Sequence, residues 1–270
     1  MTKDSDGRVA VLGAGSWGTA LALLLCRNGH RVRLWDHAPA HVANLRRDGE
    51  NRQFLPGIPL PPAIEPVPEL ADAIDNADAL LIVVPSHAFA DLLKRFPQPL
   101  PSNLGIAWAT KGFEPGSGRL LHQVAEEVLG ARDFAVVSGP SFAREVAQGL
   151  PTAVTVASPS LAHAGRVAHY LHGDRFRAYT SDDIVGVQVG GASKNVLAIA
   201  TGIADGLGFG ANTRAALITR GLAELVRLGT ALGGQRETFT GLAGLGDLVL
   251  TCTDDQSRNR RMGLALSLIH

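Results

Sequence analysis

The sequence predicts an α/β fold in which a parallel sheet covered by helices is followed by an all-helical second part. Three observations carry this reading. An apolar run, Val9 to Leu12, feeds Gly13-Ala14-Gly15-Ser16-Trp17-Gly18 and then a helical pattern. Short, continuously apolar runs alternate with helical patterns through the first two thirds of the chain, as strands buried on both faces require. After Tyr179 that texture disappears, and from Asp183 onward the apolar residues recur at helical spacing.

The first strand, Val9 to Leu12, is buried in character, and the helix after it presents Leu21, Leu24 and Leu25 before ending near Asn28-Gly29. Between them, Gly13 permits a tight turn, Gly15 admits a ligand close to the backbone, and Gly18 lets the helix pack on the strand. The free N–H groups opening the helix then face a pyrophosphate. This is the dinucleotide-binding turn of a Rossmann-type domain, and it implies a bound nicotinamide or flavin.

The second strand, Arg31 to Trp35, ends in Asp36-His37. A carboxylate here accepts the ribose hydroxyls of NAD, whereas a cation accommodates the 2′-phosphate of NADP, so Asp36 and His37 point in different directions. A second reading of Asp36 is a cap on the following turn. The proline-rich Leu55–Pro62 stretch is expected to be a surface loop, since proline fits neither helix interior nor central strand. Further strands are expected at Ala79–Val84, Gly105–Ala109, Phe134–Ser138 and Ala153–Ala157. Long helices follow at Ile184–Ala204 and Thr213–Leu232. The expected division is 1–183 for the dinucleotide-binding domain and 184–270 for a helical substrate domain.

At 270 residues and 46% hydrophobic content, the chain can bury a large core. Lys plus Arg and Asp plus Glu both number 25, so no net field attracts nucleic acid or an anionic membrane, and an anionic substrate must be caught locally. Two unclustered cysteines, Cys26 and Cys252, argue against a disulfide framework or a metal site and suit a reducing compartment. No leader pattern and no apolar stretch near the roughly 20 residues of a membrane span are visible, so no membrane insertion and a cytoplasmic location are expected.

Lys194 shares its helical face with Gly190, Gly191, Leu197 and Ala198, a small and apolar setting that should lower an ammonium pKa toward the range useful for acid/base catalysis. Lys111 follows the strand Gly105–Ala109, at the sheet end where such folds place ligands, and can act as a second cation. Gly139 and Ser141 likewise end a strand, around Pro140. Asp247 lies in the glycine-rich loop Gly244-Leu245-Gly246, where it can accept from substrate hydroxyls or orient Lys194. Ser257-Arg258-Asn259 is expected to open a helix, placing free N–H groups and a planar guanidinium where they suit a phosphate. Each segment also has a blander reading: a solvated lysine, an ordinary turn, a capped helix with a basic face.

Together with the glycine turn, the segments Thr110–Glu114, Ser138–Ala143, Gly190–Val196, Gly244–Leu248 and Ser257–Arg261 resemble bacterial NAD(P)-dependent glycerol-3-phosphate dehydrogenase in order and spacing. The resemblance runs from residue 8 to about residue 266. It implies a helical domain like that of 6-phosphogluconate dehydrogenase and a reversible reduction of dihydroxyacetone phosphate to sn-glycerol 3-phosphate for glycerophospholipid synthesis. It also implies Lys194, Lys111 and Asp247 as catalytic residues. Gly13, Gly15, Ser16, Trp17, Gly18, Asp36, His37, Lys111, Ala143 and Arg258 would contact NAD or NADP, and Lys111, Gly139, Ser141, Lys194, Asp247, Ser257, Arg258 and Asn259 the substrate. The implied partner is a small phosphorylated molecule, and a homodimer suits the class.

Members of that family continue well beyond the point where this sequence stops, adding further helices and a glutamate near the cofactor. The helical domain is therefore expected to be incomplete here. Two rival readings are a related lysine-dependent β-hydroxyacid dehydrogenase and a cofactor-binding protein without turnover.

Overall fold

A computed structural model describes residues 7–267. In chain order the first part runs β1 (Arg8–Leu12), α1 (Ser16–Arg27), β2 (Arg31–Trp35), α2 (Pro39–Asp48), β3 (Ile64–Val67), α3 (Leu70–Ile74), β4 (Ala79–Ile82) and α4 (Ser86–Lys94). It continues through β5 (Gly105–Trp108), α5 (Leu121–Leu129), β6 (Phe134–Ser138), α6 (Ala143–Gln148), β7 (Thr152–Ala157), α7 (Leu161–Leu171) and β8 (Phe176–Ser181). Helices alone follow: α8 (Ile184–Gly206), α9 (Gly210–Ala231), α10 (Arg236–Thr240), a π-helical turn at Leu242–Gly246, α11 (Asp247–Thr253) and α12 (Arg258–Ser267).

The strands form one sheet in the order β3-β2-β1-β4-β5-β6-β7-β8. The order reverses direction between β1 and β4, the point at which ligands lodge above the carboxyl ends of the strands. Successive residues of β1 face opposite sides: Val9 and Val11 join one apolar layer with Leu21 and Leu25 of α1, and Ala10 and Leu12 join the other with Leu80, Ile82 and Trp108. Burial on both faces explains the continuous apolarity of the central strands. The loop expected at 55–62 is a loop, tucked down by Leu55, which is buried in the first layer.

Three features depart from the sequence expectation. β3 and β8 were not anticipated; both are edge strands, and β3 carries Pro66, which only an edge tolerates. The sheet is not wholly parallel, because β6 and β7 pair antiparallel. The connecting helix α6 has six residues, about 9 Å of rise, too short to return the chain to the far end of the sheet. Gly149 in the left-handed region ends that helix and the chain re-enters from the same end.

The helical part is anchored at Asp183, whose carboxylate accepts from Gly186 N (2.7 Å), capping α8, and from Gln235 N (2.8 Å) ahead of α10. Ile184 and Val187 of α8 sink into the second apolar layer of the sheet. Phe239, fully buried with Leu120, Val189 and Leu225, fills the space left by Gly229 of α9, where a Cβ would come within 1.9 Å of the ring. Among the described residues no helix is long and apolar enough to cross a membrane. Phe239→Ala should cost about 3–5 kcal/mol of stability, read from urea unfolding, because the cavity opens between helices that cannot collapse onto one another.

Candidate active site

The glycine turn does three separate jobs. Gly13 has φ +119°, and a Cβ on it would lie 2.7 Å from Val83 O; a Cβ on Gly18 would lie 1.8 Å from Gly13 O. A Cβ on Gly15 would meet nothing within 4 Å, so the turn is open on that side. Gly15 precedes α1, whose first N–H groups have no side-chain cap. An anion arriving there finds free donors and the positive end of a helix, so these residues fit the pyrophosphate of a dinucleotide.

The turn is held from behind by a strap that the sequence reading did not single out. Asn51, 1% exposed, donates to Ala14 O (2.8 Å) and Thr19 Oγ1 (2.8 Å), while the Ser16 hydroxyl donates to Phe54 O (2.8 Å). Trp17 packs against the first apolar layer. Asp36 accepts from Ala14 N (3.0 Å) and from Ala38 N (3.1 Å) and is buried. The bond from Ala38 N caps the turn that follows Asp36, whereas the bond from Ala14 N ties Asp36 to the glycine turn; its neighbour His37, 80% exposed in its side chain, faces solvent.

The second part of the site gathers at the carboxyl ends of β5 and β6. Lys111 follows β5, Lys194 sits in the middle of α8, and Asp247 opens α11. Asp247 is completely buried, and each of its oxygens faces one lysine: Oδ2 accepts from Lys111 Nζ (2.6 Å), Oδ1 from Lys194 Nζ. Lys111 also donates to Gly139 O (3.3 Å), which accepts the Ser141 hydroxyl as well (3.1 Å). Five expected site residues therefore form one hydrogen-bonded cluster.

Asp247 does not lie in a loop. Leu242–Gly246 is a π-helical turn, closed by Gly246 N donating to Gly241 O (3.1 Å), that runs directly into α11. The widened turn places Asp247 inward, and its glycines permit this because a Cβ on Gly244 would strike Phe239 O at 2.2 Å. On the facing helix, Gly190 leaves room for Ala243 O, 2.4 Å from where its Cβ would be. Two backbones thus touch one turn away from Lys194 and Asp247.

Burial and the nearby Lys111 ammonium bring the Lys194 pKa down to about 7, against the opposing pull of Asp247. At that value the group gives up or takes back a proton near neutrality, as a general acid/base must.

Arg258 begins α12 as expected, and the Ser257 hydroxyl caps the helix by accepting from Arg260 N (3.2 Å). Arg258 is exposed and has no hydrogen bond or ion pair among the described residues. Asn259 donates to Asn195 Oδ1 (2.7 Å), next in sequence to Lys194. Gln256 donates to Glu145 Oε1 (2.8 Å) on α6, the helix that Ala143 opens. Asn195 and Gln256 were not assigned roles from sequence; polar residues beside a candidate lysine and a candidate clamp were the available signal.

A dinucleotide turn at the switch point of a Rossmann sheet, with a paired-lysine centre beside it, defines a nicotinamide-dependent dehydrogenase. Family models for the N-terminus and C-terminus of NAD-dependent glycerol-3-phosphate dehydrogenase match residues 8–164 and 183–268. The chain belongs to the NAD-dependent glycerol-3-phosphate dehydrogenase family.

Among its relatives, the glycerol-3-phosphate dehydrogenase [NAD(P)+] of Thioalkalivibrio sulfidiphilus is 60% identical over 97% of this chain and 79% of its own length. That of Stenotrophomonas maltophilia is 58% identical over 96% of this chain and 76% of its own length. The crystal structure of glycerol-3-phosphate dehydrogenase from Coxiella burnetii superposes with a TM-score of 0.94 at 52% identity, covering 97% of this chain and 80% of that one.

Replacing Asp247 with alanine removes the buried acceptor that both lysines share, leaving the Lys111 and Lys194 side chains without their common partner in a largely closed site. Stability should fall by about 3–5 kcal/mol, the cost of breaking a buried pair by removing one partner, measured by urea unfolding at neutral pH.

Proposed function

We propose that this chain reduces dihydroxyacetone phosphate to sn-glycerol 3-phosphate with NADH or NADPH, reversibly, and thereby supplies glycerol phosphate for phospholipid synthesis. The observation that carries this reading is the buried Asp247 shared by Lys111 and Lys194 at the sheet's carboxyl edge. Family membership and the identity to glycerol-3-phosphate dehydrogenases support the substrate. They do not favour a β-hydroxy acid, which would call for a carboxylate site in place of a phosphate clamp.

When bound, the nicotinamide supplies a hydride to C2 of the substrate. The carbonyl oxygen then carries negative charge, and Lys194 gives it a proton, leaving a neutral amine that solvent reprotonates. Lys111 provides a fixed positive charge beside that oxygen. Asp247, bonded to both lysines, aims the two side chains at the same point. Arg258 and the start of α12 hold the phosphate, and that remote binding orients the carbonyl. Gly15 and the opening N–H groups of α1 hold the dinucleotide, with Ser16, Trp17, His37 and Ala143 around it. Asp36 acts on the cofactor through the glycine turn that it holds.

The same reading divides the chain into a dinucleotide-binding domain, 1–183, and a substrate domain, 184–270, and places it in the cytoplasm as a homodimer.

Initial rates of NADH and NADPH oxidation with dihydroxyacetone phosphate test the proposal. Turnover should fall roughly 10²–10⁴-fold in Lys194→Ala, the usual worth of a positioned acid. Undiminished turnover in that variant would refute the assignment. Because reduction needs Lys194 protonated, kcat/KM in that direction should fall as pH rises through about 7, while oxidation, which needs the neutral amine, should rise over the same range. Since Asp247 raises the lysine pKa, residual activity in Asp247→Asn should show both limbs moved to lower pH.

A further inference from the structure

Helix α8 carries more than the proton donor. Asp205 lies eleven residues beyond Lys194, about three turns and about 16 Å along the same face of the helix. Its Oδ2 accepts from Arg214 of α9 (2.9 Å) and from Arg260 of α12 (2.7 Å). The second arm of Arg260 pairs with Asp255, in the turn that enters α12. Arg260 is 7% exposed, yet it stands two residues from Arg258, whose guanidinium is free and exposed. Two arginines of one helix turn thus face opposite ways, one into the bundle and one to solvent.

Helices α8 and α12 meet through glycines. A Cβ on Gly202 would lie 2.1 Å from Arg260 O, and one on Gly263 would lie 2.1 Å from Ile199 O. A glycine crossing brings backbones close but does little to fix how far one helix slides along the other. A guanidinium gripping carboxylates on both sides does, because its donors are planar and directional. A buried arginine whose Nε finds no partner is a poor choice for stability alone, since an apolar side chain would fill the same space at lower cost. Asn259 and Asn195 make the other fixed contact, next to Lys194 itself.

We infer that Asp205 and Arg260 are positioning residues that set the register of α12 on α8, and with it the distance between the phosphate clamp at Arg258 and the proton donor Lys194. Neither touches substrate. Their effect is on where the phosphate is held relative to the reacting carbonyl, so they matter only to a substrate that has a phosphate. The inference rests on the reading of Arg258 as that clamp.

The test compares dihydroxyacetone phosphate with dihydroxyacetone, which lacks the handle, in the wild type, Asp205→Asn, Arg260→Met and the milder Asp205→Glu, with NADH affinity followed by fluorescence. In Asp205→Asn and Arg260→Met, kcat/KM for the phosphorylated substrate should fall roughly 10²-fold, the order expected of a displacement of about 1 Å. The value for dihydroxyacetone and the affinity for NADH should stay within about twofold, less than the tenfold that corresponds to 1.4 kcal/mol. Asp205→Glu, which keeps the charge but lengthens the arm, should lose selectivity in the same direction to a smaller degree. Arg214→Met, which removes a partner of Asp205 without freeing Arg260, should keep wild-type selectivity. Parallel losses for both substrates, or selectivity unchanged in all variants, would overturn the inference while leaving the proposed reaction intact. A wild-type enzyme that does not favour the phosphorylated substrate would overturn both.

Discussion

Among the described residues, Asp247 is the only carboxylate facing two ammonium groups that arrive from different parts of the chain, and it is fully buried. Such a group is expensive to dehydrate, and each of its bonds recovers part of that cost only if the lysines are held in place. The sheet holds Lys111 at the end of β5, α8 holds Lys194, and the π-helical turn points Asp247 between them. A shift in any one of these elements would leave a buried charge unpaired. The arrangement therefore ties the two halves of the fold together through the chemistry itself.

The imbalance within the cluster is also what makes it reactive. Burial first, and the Lys111 ammonium second, outweigh the pull of the single carboxylate, so the proton on Lys194 is held loosely. Lys111 is the more exposed of the two lysines and is bonded also to Gly139 O. On the proposed reading, this cluster faces the carbonyl of the substrate and the free guanidinium of Arg258 at the start of α12 takes its phosphate. The dinucleotide turn is stiffened by Asn51 and Asp36.

Much of this was legible in the sequence because it depends on local spacing. Gly13, Gly15 and Gly18 between a strand and a helix announce their roles by position, and the small residues around Lys194 already point to a depressed pKa. The central strands declare themselves by continuous apolarity, whereas β3 and β8 do not, since an edge strand is buried on one side at most. The antiparallel β7 depends on the length of α6, which apolar periodicity fixes poorly. Glycines around Asp247 suggested a loop, although the same residues permit a widened helix when a partner backbone presses against them. The bond from the glycine turn to Asp36 and the reach of Arg260 to Asp205 across 55 residues are tertiary facts with no local signature.

The central claim is that one buried carboxylate shared by two lysines leaves Lys194 able to exchange its proton near neutrality. A direct titration of the Lys194 Nζ by NMR, in protein carrying isotope-labelled lysine and assigned with Lys194→Ala, tests it without relying on turnover. The account predicts a midpoint at about 7. A midpoint near the unperturbed value of about 10.4 would contradict it.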